Sequence, residues 1–427
     1  MLRHIRNSIV KNLRWSEKYT KTDMVYFVSG NFWLFASRVV TTGTGFLLTV
    51  GFANLLSQND FGTYKYILAA AGLVSALTLT GIAPASQRAI AKGHTNVIRP
   101  LVAYAARWSI FATLASLSVA LYYFYQGNTM LGASFLIVAM SMHFSWTSIN
   151  KSLFISQGEF KTAAYFNIIR ALATTLLTLF ALIATHNVLI VIATFFLSQV
   201  VFGIYTYRRS LSMINPSRDE RHADEALHYS RHASLTGILQ VVAQYIDHFL
   251  LWHFLGPVAL ATYAIAQGPA KEIRALAEMT HAVALPKIMG RDARTHFENK
   301  TVIRRTVQSS LAVVFVAGAY ILIAPFLFRI FFPLYMDAVT YSQLIAFALI
   351  FQQRSLFTGF LTSHGTVKDM YLLTIPASVT SILAALLLIP TLGIIGAILV
   401  PVVTEILMIG ITWYRYEKLK RDTVERI

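Results

Sequence analysis

The chain has 427 residues, of which 56% are hydrophobic and only 13% charged, and its mean hydropathy is +0.57. Soluble domains carry about 25% charged residues, so this composition excludes an ordinary globule in water and argues for a chain dissolved in a bilayer. The net charge of +17 invites a nucleic-acid reading, while the absence of cysteine removes disulfides, thiolate metal sites and cysteine nucleophiles together.

Residues 1–28 form a basic segment (Arg3, Arg6, Lys11, Arg14, Lys18, Lys21) that feeds into a full-length apolar run, so no cleavable leader is expected and the first span is its own insertion signal. Leu2, Ile5, Ile9 and Leu13 share one face of an interfacial helix. Apolar runs of about 20 residues, the length that crosses ~30 Å of hydrocarbon, then recur to the end of the chain. They lie at 29–54, 63–83, 103–124, 131–150, 163–184, 187–207, 232–254, 258–285, 307–331, 338–361, 371–390 and 393–414. Lipid offers no partners to open backbone groups, so each run is read as a helix. The expectation is an all-α polytopic membrane protein with twelve transmembrane helices.

The placement of the basic residues argues against nucleic acid. They crowd the N-terminus, the even-numbered loops (Arg88, Lys92 and Arg99; Arg208 and Arg209; Lys287, Arg291 and Arg294) and the tail at 415–427, whereas the odd side carries only Arg329 and Lys65 at helix ends. This asymmetry places both termini in the cytoplasm, with the bacterial inner membrane as the expected location. The polar stretch 208–231, with Pro216, reads as a cytoplasmic linker between an N-lobe at 29–207 and a C-lobe at 232–414. The lobes look like copies: Thr63-Tyr64 matches Thr262-Tyr263, and Ser156, Gly158 and Lys161 match Ser363, Gly365 and Lys368. Six helices per copy give a parallel repeat around a central cavity, an architecture suited to alternating access.

The stretches "NLLSQNDFGTYKYILAAAGLVSALTLTGIAPASQRAIAKG", "SQGEFKTAAYFNIIRALATTLLTL" and "LLLIPTLGIIGAILVPVVTEIL" resemble the polysaccharide-biosynthesis flippases of the multidrug/oligosaccharidyl-lipid/polysaccharide exporter superfamily. The resemblance covers nearly the whole chain and rests on diffuse Gly, Tyr and Pro patterns. It implies a two-lobed exporter that turns an undecaprenyl-diphosphate-linked oligosaccharide, of the O-antigen or exopolysaccharide kind, from the cytoplasmic to the periplasmic leaflet. The helix count separates the chain from the peptidoglycan-precursor flippases of that superfamily. Membrane lipids and other polysaccharide assembly proteins are the implied partners, and a monomer is expected.

The candidate site is a set of ionisable groups where lipid should be. In "YAIAQGPAKEIRALAEMTHAV" (263–283), Gln267, Lys271, Arg274, Glu278 and His281 fall within about 80° of one helical face, with Glu272 off that stripe. In the preceding span Gln240, Gln244 and Asp247 share a face, and the two stripes are expected to meet across a common cavity. A charge at the bilayer centre costs roughly 2.5–3.5 kcal/mol on insertion scales, so such a row requires water, a partner or a ligand. Arg38, Arg170 and Arg354 add intramembrane cations. Substrate contact is therefore assigned to Arg38, Arg170, Gln267, Lys271, Arg274 and Arg354, with snorkelling to the headgroups or internal pairing (Arg274 with Glu278) as the bland alternatives. Asp247, Glu278 and Glu405 are candidates for ion coupling or for charge partners. Lys65 reads as snorkelling from the outer end of the second span, and the aromatics at 122–125 as an interfacial belt.

No cofactor is expected: there is no Walker loop, and the histidines lack metal-ligand spacing. An enzyme reading, a membrane glycosyltransferase or polymerase, is disfavoured by short odd loops with Asp60 and Asp337 as their only acids. A drug/cation antiporter of the same superfamily calls for an acidic or aromatic cavity. A major-facilitator sugar porter calls for a basic signature missing from "RAIAKGHTNVIRP".

Overall fold

The computed structural model describes residues 24–212, 223–289, 300–351 and 367–425. Among these, every regular element is a helix. They are α1 (Met24–Leu55), α2 (Gln58–Ser75), α3 (Ile82–Ala91), α4 (Ile98–Tyr125), α5 (Thr129–His143), α6 (Asn150–Ser156), α7 (Phe160–Thr185), α8 (Val188–Ser212), α9 (Ala223–Met289), α10 (Lys300–Phe331), α11 (Ala338–Ala348), α12 (Val367–Leu392) and α13 (Ile394–Glu425).

The boundaries follow local chemistry. Ser57 caps α2 by accepting from the Asp60 amide at 3.1 Å, and Asn128 caps α5 by accepting from Leu131 at 3.0 Å. α7 ends at His186 in the left-handed conformation, φ 51°, and Asn187 then accepts the Leu189 amide at the start of α8. Prolines 325, 376, 390 and 401 sit inside helices, which membrane spans tolerate when neighbours re-satisfy the backbone.

Eight helices among the described residues are long and apolar enough to cross a membrane, or nine if the bent pair α5–α6 is one crossing. The expected count of twelve is therefore not reproduced one for one. α9 carries two of the expected spans in a single element broken at Gly256 (φ 82°, ψ −177°). The second expected span (63–83) is helical as α2 only to Ser75, α3 starting at Ile82, and the tenth (338–361) is described only to residue 351, where it holds a short apolar helix. Large apolar side chains such as Phe180, Phe315 and Leu322 are 72–82% exposed. The chain is a multi-pass membrane protein, and those side chains face lipid.

The central seam is α2 laid along both halves of α9. Tyr66 stacks on Trp252 at 4.4 Å between ring centroids, and Gly72 faces the Tyr245 ring. Gly62 meets the break in α9 so closely that a Cβ there would lie 1.9 Å from the Pro257 carbonyl oxygen. The repeated Thr-Tyr pair is helical in both places. Thr63 and Thr262 each donate to the carbonyl four residues back (Asn59 and Val258, at 2.8 and 3.0 Å), and Tyr64 and Tyr263 are both buried. The second repeated motif cannot be compared, because Ser363 and Gly365 lie outside the described residues. Tyr123 is no belt residue: its hydroxyl meets that of Tyr66 at 2.6 Å and its ring stacks on Phe135, while Tyr122 and Tyr125 stay exposed.

Candidate functional site between the two halves of the chain

Lys271 and Glu272 are consecutive on α9, so they point about 100° apart, and they line two different spaces. Lys271 lines a cavity of ≈ 430 Å³ bounded by α2, both halves of α9, α11, α12 and α13. Its polar lining comprises Lys65, Gln244, Asp247, His248, Tyr263, Gln267, Arg274 and Ser381. Lys271 and Arg274 are both exposed where they line this cavity.

One hydrogen-bonded ladder organises the wall. Gln267 Nε2 donates to the Tyr263 hydroxyl at 3.0 Å, and that hydroxyl donates to Asp247 Oδ2 at 2.9 Å. Asp247 Oδ1 accepts from the His248 backbone amide at 2.7 Å and lies 2.7 Å from His248 Nδ1. The carboxylate is thus held by three groups of its own helix. Gln267 Oε1 is buried without a hydrogen-bond partner among the described residues. Such an orphan acceptor in a cavity wall suits a ligand hydroxyl or amide, since leaving it unmet costs about 1–3 kcal/mol.

Glu272 turns instead into a cleft of ≈ 480 Å³ between α1, α9 and α10, with Arg38, Thr42, Thr49, Phe46, Tyr320 and Phe331 on its walls. The Thr42 hydroxyl donates to Glu272 Oε2 at 2.9 Å, and Arg38 Nη2 stands 3.9 Å from the same oxygen. Both charged side chains are about half exposed (51% and 46%). This is a loose ion pair, the kind that contributes roughly 0–1 kcal/mol.

The structure brings together Gln267, Lys271 and Arg274 with Gln244 and Asp247, while Gln240 is exposed outside that group. Arg38 stands apart in the second cleft. Arg170 lines a third space, bounded by α5 to α8 in the first half of the chain, and Glu405 is buried on α13, one turn beyond Pro401 of the Lys271 cavity, and is not itself among the lining residues. The Glu278 and His281 side chains and the whole of Arg354 lie outside the described residues. Three residues of the cavity escape sequence reasoning: Lys65, His248 and Tyr263. Lys65 does not snorkel outward but lines the cavity, its ammonium 5.1 Å from the Phe61 ring centroid. A signal is present, since Gly62, Lys65, Ala69 and Gly72 share one face and the glycines mark where α2 meets α9. Among the described residues no group of three or more His, Asp and Glu is placed to hold a metal ion.

The sequence pattern of the polysaccharide biosynthesis protein family matches residues 27–290. The chain belongs to that family. Solved structures with the same fold include the lipid II flippase MurJ in an inward closed conformation, with a TM-score of 0.68, 14% identity, 91% of this chain covered and 87% of that one. An inward-facing multidrug resistance MATE family transporter of the MOP superfamily gives a TM-score of 0.65, 12% identity and coverage of 89% and 96%. A MOP superfamily transporter from Pyrococcus furiosus, described by its reversed pocket polarity, gives 0.59, 16% identity and coverage of 92% and 96%. No curated protein sequence matches the chain. At these identities the likeness establishes the fold of the family member, and the chemistry of its cavity has to be read from its own residues.

Proposed function

We propose that this polysaccharide biosynthesis family member is a flippase. It carries an undecaprenyl-diphosphate-linked oligosaccharide from the cytoplasmic to the periplasmic leaflet of the bacterial inner membrane, with both termini cytoplasmic. The two lobes, 29–207 and 232–414, rock about the seam between α2 and α9 and expose the Lys271 cavity to each side in turn. The observation that carries the reading is the charge of the cavity lining: Lys65, Lys271 and Arg274 line it, and Asp247 is the one carboxylate among the described residues that do. That excess of positive charge suits a diphosphate, whose oxygens the Arg274 fork and the two ammonium groups can engage.

A space of ≈ 430 Å³ is the size of a small-ligand pocket. It accommodates the diphosphate and the first sugar while the polyprenyl tail stays in the bilayer. Gln267 Oε1 supplies an acceptor for a sugar hydroxyl. An inside-negative potential favours outward movement of two negative charges by roughly 5 kcal/mol at 100 mV, without ATP.

The test is headgroup translocation in proteoliposomes containing a diphosphate-linked glycan, with an imposed potential. Translocation that rises with inside-negative potential is expected. Transport of a lipophilic organic cation with no movement of the glycan would instead favour the antiporter reading.

A further inference from the structure

The third space, inside the first half of the chain, has a composition unlike the other two. It measures ≈ 430 Å³ and is lined from the broken span α5–α6 and from α7 and α8. Among the described residues Arg170 is its only charged side chain, and no carboxylate lines it. Three amides, Asn150, Asn167 and Gln199, and the serines 141, 145 and 148 also line it.

Arg170 is held in place from two sides. Nη1 donates to Gln199 Oε1 at 3.2 Å and Nη2 donates to Asn167 Oδ1 at 3.0 Å, while Asn167 Nδ2 is anchored on the Ser37 hydroxyl of α1 at 2.8 Å. Both acceptors are neutral amides. Three of the five guanidinium N–H donors therefore have no acceptor among the described residues. A half-buried cation in a membrane span is normally neutralised by a carboxylate or a bound anion, and here no described carboxylate reaches it.

The backbone points to the same place. The helical pieces Thr129–His143 and Ser145–Ser156 meet at 51° across Phe144, and Phe144 with Ser145, Thr147 and Ser148 of the turn that follows lines this cavity. Irregular backbone at membrane depth persists where it borders a cavity, and broken helices mark binding sites in transporters. α8 comes in so close that a Cβ on Gly203 would stand 2.6 Å from Thr147 Oγ1, while Asn150 donates to Thr206 and ties the far side of the bend to α8. Phe154 and Phe166, stacked 5.5 Å apart, give one wall an apolar face.

We propose that this cavity is a second anion site, taking a carboxylate or phosphate group on a sugar-sized body. The Arg170 fork meets the oxyanion, the amides and serines meet hydroxyls, and the phenylalanines cover the apolar face of the ring. The inference does not depend on the flippase reading, and its test uses no lipid-linked substrate. Full-length protein carrying Lys271→Gln and Arg274→Gln, so that the central cavity contributes little, is titrated in nanodiscs with glucuronate, inorganic phosphate and glucose.

Saturable binding of glucuronate or phosphate is expected, with glucose at least ten-fold weaker. Adding Arg170→Gln should weaken the anion at least ten-fold. Tighter glucuronate identifies a sugar acid as the ligand, and tighter phosphate a free inorganic anion. Should Arg170→Gln fail to fold, Arg170→Lys keeps the charge but loses the fork, and a several-fold weaker glucuronate is expected. Glucose binding as well as glucuronate, no saturable anion binding, or an affinity unchanged by the Arg170 variant would overturn the proposal.

Discussion

The cavity at Lys271 and the cleft at Glu272 are one residue apart on α9, yet they solve opposite electrostatic problems. The cleft balances its charge: Glu272 has Arg38 at 3.9 Å and Thr42 at 2.9 Å, on half-exposed side chains. The described lining of the cavity is cationic instead: three cations line it beside one carboxylate, which is tied down by Tyr263 and His248 from the same helix. A helix in a membrane protein can therefore carry a loose ion pair on one face and a cation-rich surface on the next. The first is a feature of packing, the second the feature on which the proposed anionic guest rests.

The sharpest way to break this contrast is to neutralise the cavity. Lys271→Gln with Arg274→Gln removes two charge-assisted contacts, each about 1.5–3 kcal/mol. Translocation of a diphosphate-linked glycan in proteoliposomes should fall about 100-fold or more, with membrane insertion intact. Asp247→Asn works the other way, removing the one carboxylate of the described lining. Headgroup binding should tighten about five-fold while turnover drops about ten-fold, since a more cationic cavity retains its anion; weaker binding would contradict the assignment. Tyr263→Phe cuts the Gln267–Tyr263–Asp247 ladder. A fall in turnover of about three-fold is expected, with a drop of a few degrees in melting temperature. Glu272→Gln in the neighbouring cleft should change transport by less than about two-fold, because an exposed pair contributes little. A large loss there would erase the distinction between the two faces.

The helical character, the cation excess and the pairing of the Asp247 and Lys271 stripes are legible in the sequence, because charge in an apolar run is expensive and helical spacing sorts it by face. The same geometry keeps Glu272 off the stripe, and the structure agrees. What spacing cannot reveal is which helix stands opposite. Lys65 reads as snorkelling only while its span is judged alone, without the close approach of Gly62 to Pro257 that turns its face toward α9. Arg170 groups with the central cations on sequence because spacing says nothing about which helices enclose a side chain, and α5 to α8 close around it separately. Tyr263 and His248 look like ordinary aromatic content of a span until the fold places them against Asp247. The span count differs for a local reason as well: a break at Gly256 joins two expected spans, and the bend after His143 divides another.

The central claim is that Lys271 and Arg274 border water and a positive potential. The chain has no cysteine, so single cysteines can be introduced into the native background. Gln244→Cys places a thiol in the cavity wall, and Leu387→Cys, at a side chain 69% exposed on the apolar surface of α12, serves as the lipid-facing control. In membranes at low salt, an anionic methanethiosulfonate should label the Gln244→Cys variant at least about ten-fold faster than its cationic counterpart does, with the Leu387→Cys variant unreactive to both. A cavity-wall thiol unreactive to both reagents, or faster with the cationic one, would contradict the account.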